Sequence, residues 1–207
     1  DEIFTPELRK DAQQLKATML QTCYLRNEGN GRFTMIPLPA EAQFSAVNGM
    51  IAEDFDGDGN LDLLMSGNDF SVEVGIGRMD AFNGLLLRGD GTGRFLPLSM
   101  AQSGIYIPGD GKALVRLKGA NGSYLVAASQ NRSALKLFAL NRKKTFVSLA
   151  ANEVSAVIHY ADGKSRKEEF YYGSGFLSQS SRACVIDDAV TSVDVLNSKG
   201  VVRKIQL

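Results

Sequence analysis

Residues 54–62, Asp-Phe-Asp-Gly-Asp-Gly-Asn-Leu-Asp, constrain the chain more than any other stretch. Asp at every second position, with glycine between and after, crowds carboxylates into a turn where they repel one another unless a cation sits among them. A hard dication with about six to eight oxygen ligands at about 2.3 to 2.6 Å suits that arrangement. Calcium fits better than magnesium, which keeps more of its own water. The expected ligands are the side chains of Asp54, Asp56, Asp58 and Asp62, with a backbone carbonyl at or next to Asn60. A plain Asp-Gly hairpin turn that binds nothing is the alternative. Turn chemistry accounts for two of these acids, not for four in register.

The loop is not an EF-hand. That motif needs a glutamate at its twelfth position and a helix on each side; here the position is Met65. Upstream, residues 46–52 are rich in small and β-branched types, and residues 61–65 form a short apolar run, so the loop is expected between two strands.

A second pattern organises the chain around this loop. Residues 25–33 (Leu-Arg-Asn-Glu-Gly-Asn-Gly-Arg-Phe) return at 87–95 as Leu-Arg-Gly-Asp-Gly-Thr-Gly-Arg-Phe, 62 positions on. The same shift carries 54–62 onto 116–124 and the strand at 63–65 onto 125–127. The frame survives and the acids do not: Arg116, Lys118, Ala120 and Tyr124 stand where Asp54, Asp56, Asp58 and Asp62 stood. The second loop is therefore expected to be metal-free, with Lys118 in part of the space of the ion. A third, weaker copy lies at 138–146, an interval of 51 from the second. A repeat of this length, with short strands and a Gly-aromatic turn, reads as a β-propeller blade. One nearly whole blade (44–98), a second (105–146) and the last strand of a preceding one can be counted, whereas a closed ring needs about four or more.

The Asp54-x-Asp56-x-Asp58-Gly59-x-x-Asp62 loop and the Asn-x-Gly-x-Gly-x-Phe turns resemble the FG-GAP or VCBS-type repeat of integrin-α-like propellers, over about residues 20–146. The resemblance implies a calcium-bearing β-propeller whose metals stiffen loops rather than perform chemistry. Lost acids at 116–124 and missing glycines at 138–146 depart from it.

Beyond residue 146 the texture changes. Residues 154–160 and 165–172 read as a hairpin turning at Ala161-Asp162-Gly163-Lys164, and a last hairpin over 190–205 turns at Asn197-Ser198-Lys199-Gly200. Between them, Gly173-Ser174-Gly175-Phe176-Leu177-Ser178-Gln179 resembles the core of the ASPIC/UnbV domain, a small β module that follows such propellers. Leu196-Asn197 replaces the family's aromatic-Pro pair. Together the two resemblances imply an exported protein: extracellular, at the cell surface or periplasmic.

The expected class is therefore mainly β, in three parts: a helical segment over 1–20, blade-like repeats over 21–146 and a small β domain over 147–207. The helix, read over 6–21, rests on a Thr5-Pro6-Glu7 start and an apolar stripe of Leu8, Leu15, Met19 and Leu20. Twenty-three basic and 23 acidic residues balance, which argues against nucleic acid or an anionic membrane as partner. Twenty-one glycines and no tryptophan suit a turn-rich β protein. No run approaches the roughly 18 apolar residues of a membrane span. The chain opens on Asp1-Glu2 without a signal peptide, so an exported protein would be represented by a processed or excised piece.

Few residues invite chemistry. Cys23 and Cys184 are expected unpaired, and His159 structural, having no nucleophile or second transition-metal ligand beside it. The glycines at 75–77 and 89–93 lack the strand-to-helix setting of a phosphate loop. Arg88-Gly89-Asp90 follows from the repeat's own turn, Glu168-Glu169 reads as a solvated face, and Ser178, Ser180 and Ser181 as hydrogen-bonding turn residues. Two functions stay open. One is a calcium-stabilised, non-catalytic binding or adhesion module that presents loops to a glycan or protein; in the insertion at 68–83, Phe70, Arg78, Asp80, Phe82 and Asn83 can stack on a sugar or pack the blade edge. The other is an accessory part of a polysaccharide lyase or hydrolase.

Overall fold

The structure is a computed structural model and describes residues 5, 9–13 and 15–207. It is mainly β, built from several antiparallel sheets with no closed barrel. Of the expected helix over 6–21, Arg9 is helical and the Ala12 amide donates to its carbonyl (3.0 Å), but residues 15–20 have no regular structure. Residues 6–8 and 14 of that expectation lie outside the described residues. Of the stripe, Leu8 lies outside the described residues and the described members are exposed. Leu15 and Leu20 are 85% and 88% exposed, and a short helix without tertiary packing is marginal in water.

A hairpin of β1 (Cys23–Gly29) and β2 (Arg32–Pro37) comes first, turning through left-handed Asn30. Next is a four-stranded meander of β3 (Val47–Glu53), β4 (Asp62–Gly67), β5 (Leu85–Gly89) and β6 (Phe95–Leu98), with strands paired in chain order. Strand β4 is central and buried on both faces. Leu64 enters one core with Ile51, Leu114, Tyr124 and Val126, and Met65 enters another with Leu38, Phe82 and Leu87. A one-turn helix, α1 (Met100–Ser103), is closed by a Ser99/Gln102 capping box and leads to the second meander.

That meander has three strands: β7 (Asp110–Lys118), β8 (Tyr124–Asn131) and β9 (Lys136–Ala139). It packs on the first through Tyr124, which is fully buried between Phe55 and Phe146. The following strand, β10 (Thr145–Ser148), pairs with β13 (Ala183–Ile186) rather than with β9. The rest is a sheet of β11 (Glu153–Tyr160), β12 (Ser165–Glu169), β14 (Val190–Asn197) and β15 (Val202–Gln206), in the order β12-β11-β14-β15. Its core is Ile158, Val193, Val195 and Cys184, so the two-stranded β10–β13 pair lies between this core and the meanders. No described helix is long and apolar enough to cross a membrane.

Candidate functional site

The acidic loop joins β3 to β4, as the flanking sequence implies, with Glu53 opposite Asp62 closing the register. Carboxylate oxygens of Asp54, Asp56 and Asp58 lie within 4.8 Å of one another, Asp54 buried and the other two exposed. Local bonds hold them there. Asp54 accepts from the amides of Gly57 (2.5 Å) and Gly59 (3.2 Å), Asp56 from that of Asp58 (3.1 Å), and Asp58 from that of Asn60 (2.8 Å). Gly57 takes a left-handed φ of 82°, closed to most side chains.

The other two nominated residues serve differently. Asp62 is buried and both its oxygens accept backbone amides, Phe55 at 2.9 Å and Gly89 at 2.9 Å, which ties the loop to β5. Burial pushes its carboxyl above the ordinary range, against those two bonds. Asn60 approaches Gly91 of the next turn so closely that a Cβ there would collide with its Oδ1. The converging donors are thus three carboxylates, an all-oxygen set that suits a hard dication. The trio can hold a metal ion.

Two cations stand against this loop, both from residues 140–144. The Arg142 guanidinium lies over Gly57, where a Cβ would fall inside it, and donates to the Asp56 carbonyl. Lys144, buried, has its Nζ 4.0 Å from Asp54, 3.9 Å from Glu53 and 3.8 Å from Asp187. Behind it runs a buried ion network. Arg116 pairs with Glu53 (3.4 Å) and Glu168 (2.8 Å) and donates to the Ala183 carbonyl (3.2 Å). Burial pushes Glu53 up to about 7 although Lys144 and Arg116 pull the other way.

Sequence reasoning missed this network, because its members lie 52 and 63 positions apart across three sheets. The one signal was the shift of 62, which put Arg116 where an acid had been. Arg116 supplies the charge, whereas Lys118 points over the Phe146 ring, 5.9 Å from its centre. Glu168 is likewise no solvated residue: it faces Arg116, and only Glu169 sits outside, paired with Lys167 at 2.7 Å.

Phe82 is 2% exposed and belongs to the core, so it offers no face to a sugar. Phe70 lies beneath the Arg78 guanidinium (5.0 Å), Asp80 is exposed and Asn83 half-buried. In Arg88-Gly89-Asp90, the glycine amide is taken by Asp62, and Asp90 caps its turn through the amides of Thr92 and Arg94. Ser180 and Ser181 accept the Arg116 and Lys118 amides of β7 (3.1 and 3.2 Å), hydrogen bonds to a distant strand rather than within their own turn, while the buried Ser178 Oγ has no partner among the described residues. His159 Nε2 lies 3.4 Å from Asp194. Both cysteines are free; burial, then the nearby Glu168, pushes the Cys184 thiol up to about 12.

Fold and loop together define an antiparallel, repeat-bearing β protein with an acidic hairpin able to take a metal ion. Compared with family models, curated proteins and solved structures, the chain finds no match.

Proposed function

We propose that this chain is a calcium-stabilised, non-catalytic binding or adhesion module of FG-GAP/VCBS-type propeller blades followed by an ASPIC/UnbV-like domain, from an exported protein. The reading rests chiefly on the convergence of Asp54, Asp56 and Asp58 within 4.8 Å at the end of a strand pair. Asp54, Asp56 and Asp58 would hold the ion, and the ion would supply positive charge that stiffens the loop; Asp62 keeps the loop anchored to β5. The successive meanders of repeated sequence support blades that stack on one another, with further blades of a longer propeller completing the set. Loops on this rigid frame, those at 54–62 and 68–83 among them, would face a glycan or protein partner.

Thermal unfolding tests the metal. EDTA is expected to lower the melting temperature and excess calcium to restore it, because a ligand that binds only the folded state stabilises it by mass action. Asp56→Ala, an exposed position, should abolish the response with little change to the chelated protein. A melt indifferent to chelation sinks the assignment.

A further inference from the structure

The first meander has four strands and the second has three, and the difference leaves a place beside β9. In the repeat, residues 138–146 match 87–95, so β10 corresponds to β6, which pairs with β5 from Leu86–Leu98 to Gly89–Phe95. Strand β10 instead pairs with β13. Among the described residues, strand β9 is therefore paired with β8 alone.

The Leu140 amide donates to the Tyr124 carbonyl at 3.0 Å, and the register runs Leu125–Ala139, Val126–Phe138, Ala127–Leu137. Antiparallel pairs alternate, so the N–H and C=O groups of Leu137 and Ala139 point away from β8, to the open edge. Alongside that edge runs a cleft of about 540 Å³, lined by five successive residues, 137–141. Its lining brings Leu86, Arg88 and Leu98 together with Val126, Phe138 and Leu140, and with Asp56 and Asp62 of the acidic loop. The volume is that of an ordinary ligand pocket, about 300–1,000 Å³. Arg88 is exposed and, among the described residues, has no ion pair or side-chain hydrogen bond.

We infer that β9 and this cleft receive an extended peptide strand of a protein partner, which completes the second meander as β6 completes the first. The strand pairs its backbone with Leu137 and Ala139 and sets alternate apolar side chains between Leu98 and Phe138. Strand addition of this kind takes affinity from main-chain bonds and selectivity from alternate pockets. Its main-chain bonds would be to β9 and not to the acidic loop, although Asp56 and Asp62 also line the cleft.

The probe is a synthetic peptide of residues 93–100, the sequence that fills the equivalent place in the first meander, labelled and titrated with the full chain by fluorescence anisotropy. Saturable binding is expected, weakened about tenfold or more, one decade or above of affinity, by Leu137→Pro. That change removes an outward N–H and spares the β8 ladder, so the variant should melt with the wild type. A probe N-methylated at alternate amides should fail against the unmodified protein, which covers the case of a misfolded variant. No saturable binding, or binding indifferent to both changes, overturns the inference. So does a chain that sediments as a dimer and becomes monomeric with Leu137→Pro, since a second copy would then own the edge.

Discussion

Two turns of the same repeat behave differently. At 87–95 the chain doubles back: Gly91 and Gly93 take left-handed φ of 74° and 91°, β6 returns along β5, and the first meander closes at four strands. At 138–146 Arg142 and Lys144 stand where Gly91 and Gly93 stood. Neither takes the left-handed conformation of those glycines, and the chain runs on until β10 joins β13. The substituted cations then serve elsewhere, Arg142 on the acidic loop and Lys144 among Glu53, Asp54 and Asp187. Replacing glycine by positive charge thus turns a closing hairpin into a crossover that ties the meanders to the C-terminal sheet.

Arg116 carries most of that tie: its bonds to Glu53, Glu168 and the Ala183 carbonyl join its own sheet to three others. Arg116→Met should cost about 3–5 kcal/mol, the usual cost of leaving buried charges unpaired; urea unfolding at pH 7.5, about neutral, measures it. A loss under about 1 kcal/mol would mean the crossover is tied by apolar packing alone.

Lys144→Met should cost less, about 2–3 kcal/mol, because its pairs are longer than those of Arg116. The loss should depend on pH. Glu53 is raised from 4.5 to about 7 in the folded protein, which therefore holds that proton more tightly than the unfolded chain does. Its contribution is fully present below 4.5 and falls as pH rises through 7. Removing Lys144 raises Glu53 further, so the deficit of the variant should be larger at high pH than at low pH. A deficit that grows on acidification would contradict the placement.

Gly93→Ala should have the smallest effect, about 1–2 kcal/mol for a left-handed residue with a Cβ. The added carbon would also meet the Tyr24 ring at 3.0 Å. Lys143→Gly in the other turn removes no such constraint and should leave stability within about 0.5 kcal/mol.

Much of the strand pattern is legible in the sequence because it is local. The Asp-Gly loop between alternating runs marks β3 and β4, and Asp162-Gly163 and Asn197 to Gly200 mark the hairpins of the last sheet; Gly163 and Gly200 take φ of 82° and 80°. What joins distant strands is not legible. Nothing near residue 145 announces that β10 leaves its repeat for a strand that begins at Ala183. The expected helix does not extend over 15–20 for a related reason: a stripe is present, but whether a surface exists to cover Leu15 and Leu20 is a tertiary fact. At the loop, spacing identifies four acids, while geometry brings together only Asp54, Asp56 and Asp58 and directs Asp62 to the amides of Phe55 and Gly89.

Calorimetric titration of calcium into chelator-stripped protein decides whether the acidic loop holds the ion. One saturable site is expected, lost in Asp54→Asn and Asp58→Asn alike. Absence of binding heat across temperatures in the intact chain, with the loop amides unmoved by calcium in NMR spectra, would contradict it.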